Sequence, residues 1–209
     1  MGYIIFGAGG HGKVVFDNLR SMGAEIIGVM DDQWPEEKWR GVPYLGGINQ
    51  FDKIATNHIN ALYIIAIGQN SIREKIAFFF EQKGVLFGKA IHSSAVISAD
   101  ACIGDGTVIM ANSVVNADAR IGRHVIINTG TTVDHDCNVK DYVHLSPGVH
   151  LAGGVEVGSN THIGIGACLI PQVKVGREVI IGAGGCVVHN IPDSVTAIGC
   201  PAKVISKNQ

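Results

Sequence analysis

Clustered basic residues are missing from this sequence. Sixteen Lys and Arg stand against eighteen Asp and Glu, a formal charge of -2 with a pI near 6.5, and no local run of Lys and Arg makes up for the missing net charge. That balance gives no electrostatic drive toward nucleic acid or an acidic membrane surface, so neither is an expected partner. Paired cysteines are missing too. The five present, Cys102, Cys137, Cys168, Cys186 and Cys200, are odd in number and lack CxxC spacing, which disfavours both a disulfide framework and a structural zinc site. The start of the chain, "MGYIIFGAGGHGK", has no basic segment and only four apolar residues before a glycine. It fits neither a signal peptide nor a membrane span, and a cytoplasmic protein is the expectation.

What the chain does have is 209 residues with 46% hydrophobic content, enough for one good core or two small ones. Up to about residue 88 it reads as strand, glycine turn, helix and strand: "YIIF", "GAGGHG", "KVVFDNLRSMG", "EIIGVMDD". A second unit follows with "ALYIIAIG" and "SIREKIAFFFEQKG", in which Ser71 and Glu74 match a capping box. The pattern predicts a small α/β domain with a parallel sheet, half of a Rossmann-like fold, over 1–88. A glycine turn between strand and helix lets backbone N–H groups approach phosphate at the helix N-terminus, so Gly7, Gly9, Gly10, His11 and Gly12 are candidate substrate-binding residues. Asp31 and Asp32 close the second strand where a carboxylate meets ribose or base. The domain is too short for two mononucleotide halves, so a single nucleotide suits it better than NAD.

From residue 89 onward the period changes. Every sixth residue from Ile91 through Ile97, Ile103, Ile109 and Val115 to Val187 is aliphatic without a break, and four residues after each comes a small or β-branched side chain. Short strands explain that period: the fifth and first hexad positions point inward, the sixth points outward, and the second to fourth make a corner. With eighteen residues per coil, the outward positions sort into three faces. The first runs Val96, Val114, Thr132, His150, Cys168, Cys186; the second Cys102, Arg120, Asn138, Glu156, Lys174; the third Val108, Ile126, His144, His162, Ile180. The first and third carry apolar residues that a lone chain is expected to expose, which predicts a homotrimer covering both.

At one corner, "TTVDHDC" sets His135 between Asp134 and Asp136. A carboxylate bonded to one imidazole nitrogen fixes the tautomer and raises basicity, leaving the other nitrogen to accept a proton near neutral pH. Gly153 stacks on His135 one coil later. Cys137 beside it points inward, where a thiol is inert packing.

The hexad array resembles the hexapeptide-repeat transferases, and "NTGTTVDHDCNVKDYVHLSPGVHLAGG", with "GAGGHG", "DD" and "IAIGQNSIREKI" upstream, resembles the bacterial acetyltransferases of nucleotide-linked amino sugars and of sialic acid. That resemblance implies a left-handed parallel β-helix over 89–209 and acetyl-CoA as co-substrate, with no metal. It implies direct transfer to the amino group of a UDP-4-amino-4,6-dideoxy sugar or a GDP-linked 4-amino sugar in active sites between subunits. By the same likeness His135 is the general base, Asp136 orients it, and Asn128 and His144 support the site. Gly153 turns its N–H to the thioester oxygen, Ala183, Pro201, Ala202 and Lys203 hold coenzyme A, and Asn70 joins the glycine turn on the substrate side. Two other classes remain open at this point: sialic acid O-acetylation, and a zinc-dependent β-helix hydratase using His144, His150 and His162.

Overall fold

The computed structural model describes residues 1–33 and 37–208. Strand β1 (Tyr3–Phe6) leads into helix α1 (Gly10–Ser21) and strand β2 (Ile26–Met30). Next come β3 (Lys38–Trp39), β4 (Val42–Gly46), helix α2 (Phe51–Asn57), β5 (Leu62–Ile65), α3 (Asn70–Gln82) and β6 (Leu86–Phe87). The sheet order is β3-β4-β2-β1-β5-β6, parallel except for the β3–β4 pair. All four residues of β1 are buried, as befits a parallel strand covered on both faces. Ile4 and Phe6 pack with Phe51, Tyr63 and Phe80 on the α2 and α3 side, while Tyr3 and Ile5 pack with Val15, Phe16 and Leu19 of α1.

The capping box is not formed. Helix α3 starts two residues earlier than that motif requires, with Gln69 rather than Ser71 at its N-cap and no side-chain cap. The Glu74 carboxylate instead accepts a hydrogen bond from Asn160 Nδ2 at 3.0 Å, a charge-assisted bond to the second domain that a capping role would forgo.

From Ala90–Ile91 to Cys186–Val187 the chain runs as two-residue strands. Each pairs in parallel with the strand one coil away, as in Val114↔Thr132, Arg120↔Asn138 and His144↔His162. The three ladders are the three faces read from the sequence. First hexad positions are buried from Ile109 onward and only half-buried at Ile91, Ile97 and Ile103, the open end of the prism. The fourth position of each hexad from Asn112 to Gly184 is left-handed; Asn112, Asp118, His124, Asp136, Tyr142 and Asn160 have φ of 58, 59, 54, 59, 60 and 60°. That conformation turns each corner, and glycine, asparagine and aspartate accept it at least cost. At the other end Val195–Ile198 joins the third ladder beside Ile180–Ile181, and Lys203–Lys207 pairs antiparallel with it. Ala202 enters the solenoid core.

The N-terminal part of the third face is not left for a neighbouring copy. Val108 and Ile126 are 1% and 0% exposed because they join a cluster with Tyr3, Ile5, Val15 and Leu19 of the α/β domain. Asn18 of α1 donates from Nδ2 to the Ile109 carbonyl at 3.0 Å, satisfying a polar group inside that seam. Contrary to the expectation that a homotrimer covers both apolar faces, the chain itself covers the Val108 and Ile126 part of the third.

Candidate active site

His135 sits at the third position of its hexad, between strands Thr132–Val133 of the first face and Asn138–Val139 of the second. The left-handed Asp136 that follows turns its carboxylate back, so that Oδ2 lies 2.8 Å from His135 Nδ1. Asp134 Oδ1 accepts the His135 backbone N–H at 2.8 Å and a bond from Asn116 Nδ2 at 3.0 Å. Those two bonds hold the Asp134 carboxyl below its ordinary range. The Asp136 bond, then the Asp134 charge, pushes the His135 imidazole above its ordinary value. Nδ1 is committed, and Nε2 lies over Gly153: a Cβ built on Gly153 falls 2.6 Å from Nε2 and Cε1. Only a glycine leaves room for the ring there. The Gly153 N–H has no acceptor among the described residues. Ala152, Pro171 and Gln172 complete a shallow cleft of about 330 Å³ around the ring. Cys137 is 1% exposed and donates to the Ala152 carbonyl, and burial raises its thiol, consistent with packing.

A second, larger cleft of about 630 Å³ opens between α3 and the solenoid, lined by Gly68, Asn70, Glu74, His144, Asn160 and His162 among others. It lies at the end of β5; because the chain runs from β1 to β2 on one side and β5 lies on the other, that end adjoins the switch point where parallel sheets bind ligands, but neither the glycine turn 7–12 nor Asp31 or Asp32 is among the residues that line the cleft. Gly7, at φ +114°, approaches the Ala66 carbonyl so closely that a Cβ would fall 2.8 Å from it, and a Cβ on the buried Gly12 would strike the Gly7 carbonyl. Gly9 and Gly10 are exposed with open space beside them. Asp31 Oδ2 accepts the Ala8 N–H at 2.7 Å and Oδ1 the Gln33 N–H at 2.9 Å; Asp32 Oδ1 accepts the Ile48 N–H at 2.7 Å. Both acids thus brace the loops around the turn. His11 turns inward, where burial and then the Arg73 charge push it down to about 4, and its Nε2 has no hydrogen-bond partner among the described residues.

His144 Nδ1 donates to the Gly68 carbonyl at 3.3 Å, and Asn128 Nδ2 donates to its Nε2 at 3.4 Å. The Asn128 orientation is fixed because its Oδ1 accepts the Thr129 N–H at 2.8 Å. Burial first, then His162, Arg73 and His11, lowers His144 to about 3, so the ring is neutral. It stacks on His162 with centroids 4.7 Å apart and planes 1° from parallel, while His162 Nε2 meets Ser146 Oγ at 2.8 Å. His150 lies on the first face against Thr132 Oγ1. The nitrogens of these three rings do not converge, and among the described residues no group of three His, Cys, Asp or Glu side chains is arranged to hold a metal.

The two clefts do not meet within one chain. His135 occupies the corner opposite the third face, on which His144 stands with Asn128 beside it.

Two domain families match, the PglD N-terminal domain over residues 3–78 and the bacterial transferase hexapeptide (six repeats) over 100–135. PerB from Caulobacter crescentus, in complex with CoA and GDP-perosamine, superposes with a TM-score of 0.92 at 40% identity, covering 99% of this chain and 98% of that one. Forms of the GDP-perosamine N-acetyltransferase from Caulobacter crescentus with one histidine replaced, also with CoA and GDP-perosamine, give 0.93 at 40% identity over 99% and 98%. The acetyltransferase domain of PglB from Neisseria gonorrhoeae, in complex with acetyl coenzyme A, gives 0.91 at 37% identity over 97% and 98%. The chain belongs to the PglB/PerB family of hexapeptide-repeat acetyltransferases. Its α/β domain followed by a left-handed β-helix is the architecture of that family. A curated relative, the UDP-N-acetylbacillosamine N-acetyltransferase of Bacillus subtilis, is 43% identical over 111 residues, 51% of this chain and 50% of that one, so the match spans about half the relative's length.

The residues expected to hold coenzyme A are spread along the C-terminal end of the first face. Ala202 is buried and donates its N–H to the Cys186 carbonyl at 2.7 Å, whereas Pro201 and Lys203 are exposed. Ala183 lies on the corner between the third and first faces, a full face away from Gly153. Sequence reasoning missed Arg73, Asn116 and Ser146. Asn116 and Ser146 look like ordinary corner residues, and their partners, eighteen and sixteen positions away, become visible only once the coils are stacked.

Proposed function

We propose that this protein transfers the acetyl group of acetyl-CoA directly to the amino group of a nucleotide-linked amino-deoxy sugar, with His135 as general base. The observation that carries this reading is the His135 ring itself, its Nδ1 bound to Asp136 and its Nε2 free above Gly153. A sugar amine is largely protonated near neutral pH, so one proton leaves before or during attack on the thioester. That first proton goes to water; as the freed amine nitrogen bonds to the thioester carbon, His135 Nε2 takes a second proton from it, and the oxyanion forms beside the Gly153 N–H. Collapse of the intermediate breaks the C–S bond and restores the carbonyl, and the proton on His135 passes to the departing thiolate. The names of PerB and the bacillosamine enzyme favour a GDP-linked 4-amino sugar or a UDP-4-amino-4,6-dideoxy sugar as acceptor.

In this reading residues 1–88 hold the nucleotide sugar at the switch-point cleft, residues 89–209 carry the transfer, and Ala183, Pro201, Ala202 and Lys203 contact coenzyme A. A homotrimer brings the cleft of one subunit, with Asn128 and His144, to the His135 corner of the next. Val96, Ile165 and Ile180, 63, 56 and 46% exposed, are the apolar side chains such contacts would cover. Both co-substrates belong to the cytoplasm, and no described helix is long and apolar enough to cross a membrane. Assaying UDP-4-amino-4,6-dideoxy sugars, GDP-linked 4-amino sugars and sialic acid side by side with acetyl-CoA tests the reading. Acetylation of sialic acid alone overturns it, and acetyl label retained on the protein without acceptor overturns direct transfer.

A further inference from the structure

Arg73 is 1% exposed, yet among the described residues it forms no ion pair with a carboxylate. All its hydrogen bonds go to amide oxygens. Nε donates to the His124 carbonyl at 2.8 Å, Nη1 to the carbonyls of Ile67 and Gly68 at 2.9 and 3.1 Å, and Nη2 to Asn70 Oδ1 and the Tyr142 carbonyl at 2.9 and 2.8 Å. One rigid fork therefore ties the segment 67–70, of which Gly68, Gln69 and Asn70 line the large cleft, to two corners of the solenoid stacked one coil apart. An apolar side chain of similar volume joins two packed elements without a buried charge to solvate. What only a guanidinium does is fix five acceptor directions at once.

We propose that Arg73 is the positioning residue of the acceptor cleft, setting segment 67–70 and the Asn70 amide against His144 so that the bound sugar amine is aimed at the acetyl donor. With Asn70 Oδ1 held by Arg73, its Nδ2 is directed at the carbonyls of Asn160 and Thr161, at 3.0 and 3.2 Å. The Gly68 carbonyl serves Arg73 and His144 Nδ1 together, so the same bond set fixes the His144 ring. The charge of Arg73 also helps keep His11, His144 and His162 neutral, which suits rings that serve as hydrogen-bond partners in a crowded cleft.

The kinetic part of this inference rests on the proposed acetyl transfer; the structural part does not. Arg73→Lys keeps the charge but not the fork, and Arg73→Met keeps the volume but neither. The expected order of kcat/KM for the nucleotide amino sugar is wild type, then Lys, then Met. The Lys variant is expected to lose about tenfold, equivalent to about 1.4 kcal/mol, with KM for acetyl-CoA unchanged. In deuterium exchange, uptake at residues 67–70 is expected to rise in both variants while uptake at 131–137 stays at the wild-type level. Unchanged uptake at 67–70, or equal losses toward both co-substrates, overturns the assignment. So does failure of both variants to fold, which makes Arg73 a residue of the folding core. If the wild-type protein acetylates no nucleotide amino sugar, the functional reading falls, and exchange at 67–70 alone decides the role of Arg73.

Discussion

Gly153 lies directly beneath the His135 ring, one coil further along the solenoid, so close that a single added methyl would fall 2.6 Å from Nε2. The glycine is there because of the ring, since its backbone conformation is not one that only glycine adopts. Gly153→Ala is therefore expected to displace an exposed side chain that has room to swing away, leaving the fold intact. Displacing a base by about 1 Å costs up to about 100-fold in rate. Turnover is expected to fall toward that extent with an unchanged melting temperature; a Gly153→Ala protein of full activity would show that the ring does not work from this position.

His135→Ala removes the base itself. His135 is exposed and packs against no core residue, so the change is expected to leave stability and both substrate affinities near wild type. Turnover is expected to drop about 100- to 10,000-fold, the usual contribution of a positioned acid or base. Retention of more than about a tenth of wild-type turnover excludes His135 as the base, given that range.

Asp136→Asn separates orientation from basicity. The Asp136 bond is the leading cause that raises His135, because a carboxylate stabilises the imidazolium over the neutral ring. Without that charge the imidazole loses its proton more readily. The acidic limb of the pH–rate profile is therefore expected to move to lower pH, while the plateau falls because a neutral amide orients the ring less firmly and leaves a weaker base. The plateau loss is expected to be smaller than that of His135→Ala. An acidic limb that stays in place means that another group is titrating.

The solenoid was legible because its physics is periodic. An inward aliphatic residue at every sixth position from Ile91 to Val187 and eighteen-residue stacking between outward positions are properties of the sequence itself, and they return as three parallel ladders. The His135–Asp136 pair was legible for the same reason, since neighbouring corner residues are close in any arrangement. What stayed hidden depends on which surface covers which. Val108 and Ile126 mark the third face as apolar, but apolarity does not say whether a second copy or the chain's own α1 will cover it. Arg73 sits in a helix written with the charged residues of an exposed surface, and only the packing of α3 on the solenoid turns it inward. Ser71 and Glu74 carry the spacing of a cap, yet Asn160 offers Glu74 a better partner. The short β3, β4 and β6 strands and helix α2 follow no strong period and were invisible.

Asp31 is expected to act through the glycine turn. Its carboxylate holds the Ala8 and Gln33 N–H groups, so Asp31→Ala frees the loop on the side of the sheet proposed to take the nucleotide while leaving the solenoid untouched. KM for the nucleotide sugar is expected to rise about tenfold, in line with losing one to two bonds to a charged acceptor, and affinity for acetyl-CoA to stay constant. Loss of acetyl-CoA binding instead would show that the α/β domain does not hold the acceptor.

The separation of His135 from His144 within one chain gives the proposed trimer a functional test. His135 stands at the corner opposite the face that carries His144, so an active site containing both draws them from two copies. In the proposed ring of three, each His135 would meet the neighbour's His144, and a single site would need only one intact residue from each side. Mixing His135→Ala chains with His144→Ala chains, each first assayed alone and expected to be inactive, with unfolding and refolding to exchange subunits, creates some interfaces in which one chain supplies an intact His135 and its neighbour an intact His144. Random assembly makes about a quarter of the interfaces pair an intact His135 with an intact His144, by simple counting of closed homomeric rings. Activity is thus expected to recover to about a quarter of wild type per site, with sedimentation giving three chains per particle. Mixed samples that stay inactive although subunits have exchanged would place both residues in sites contained within one chain, and a stable monomer at micromolar concentration would remove the shared site altogether.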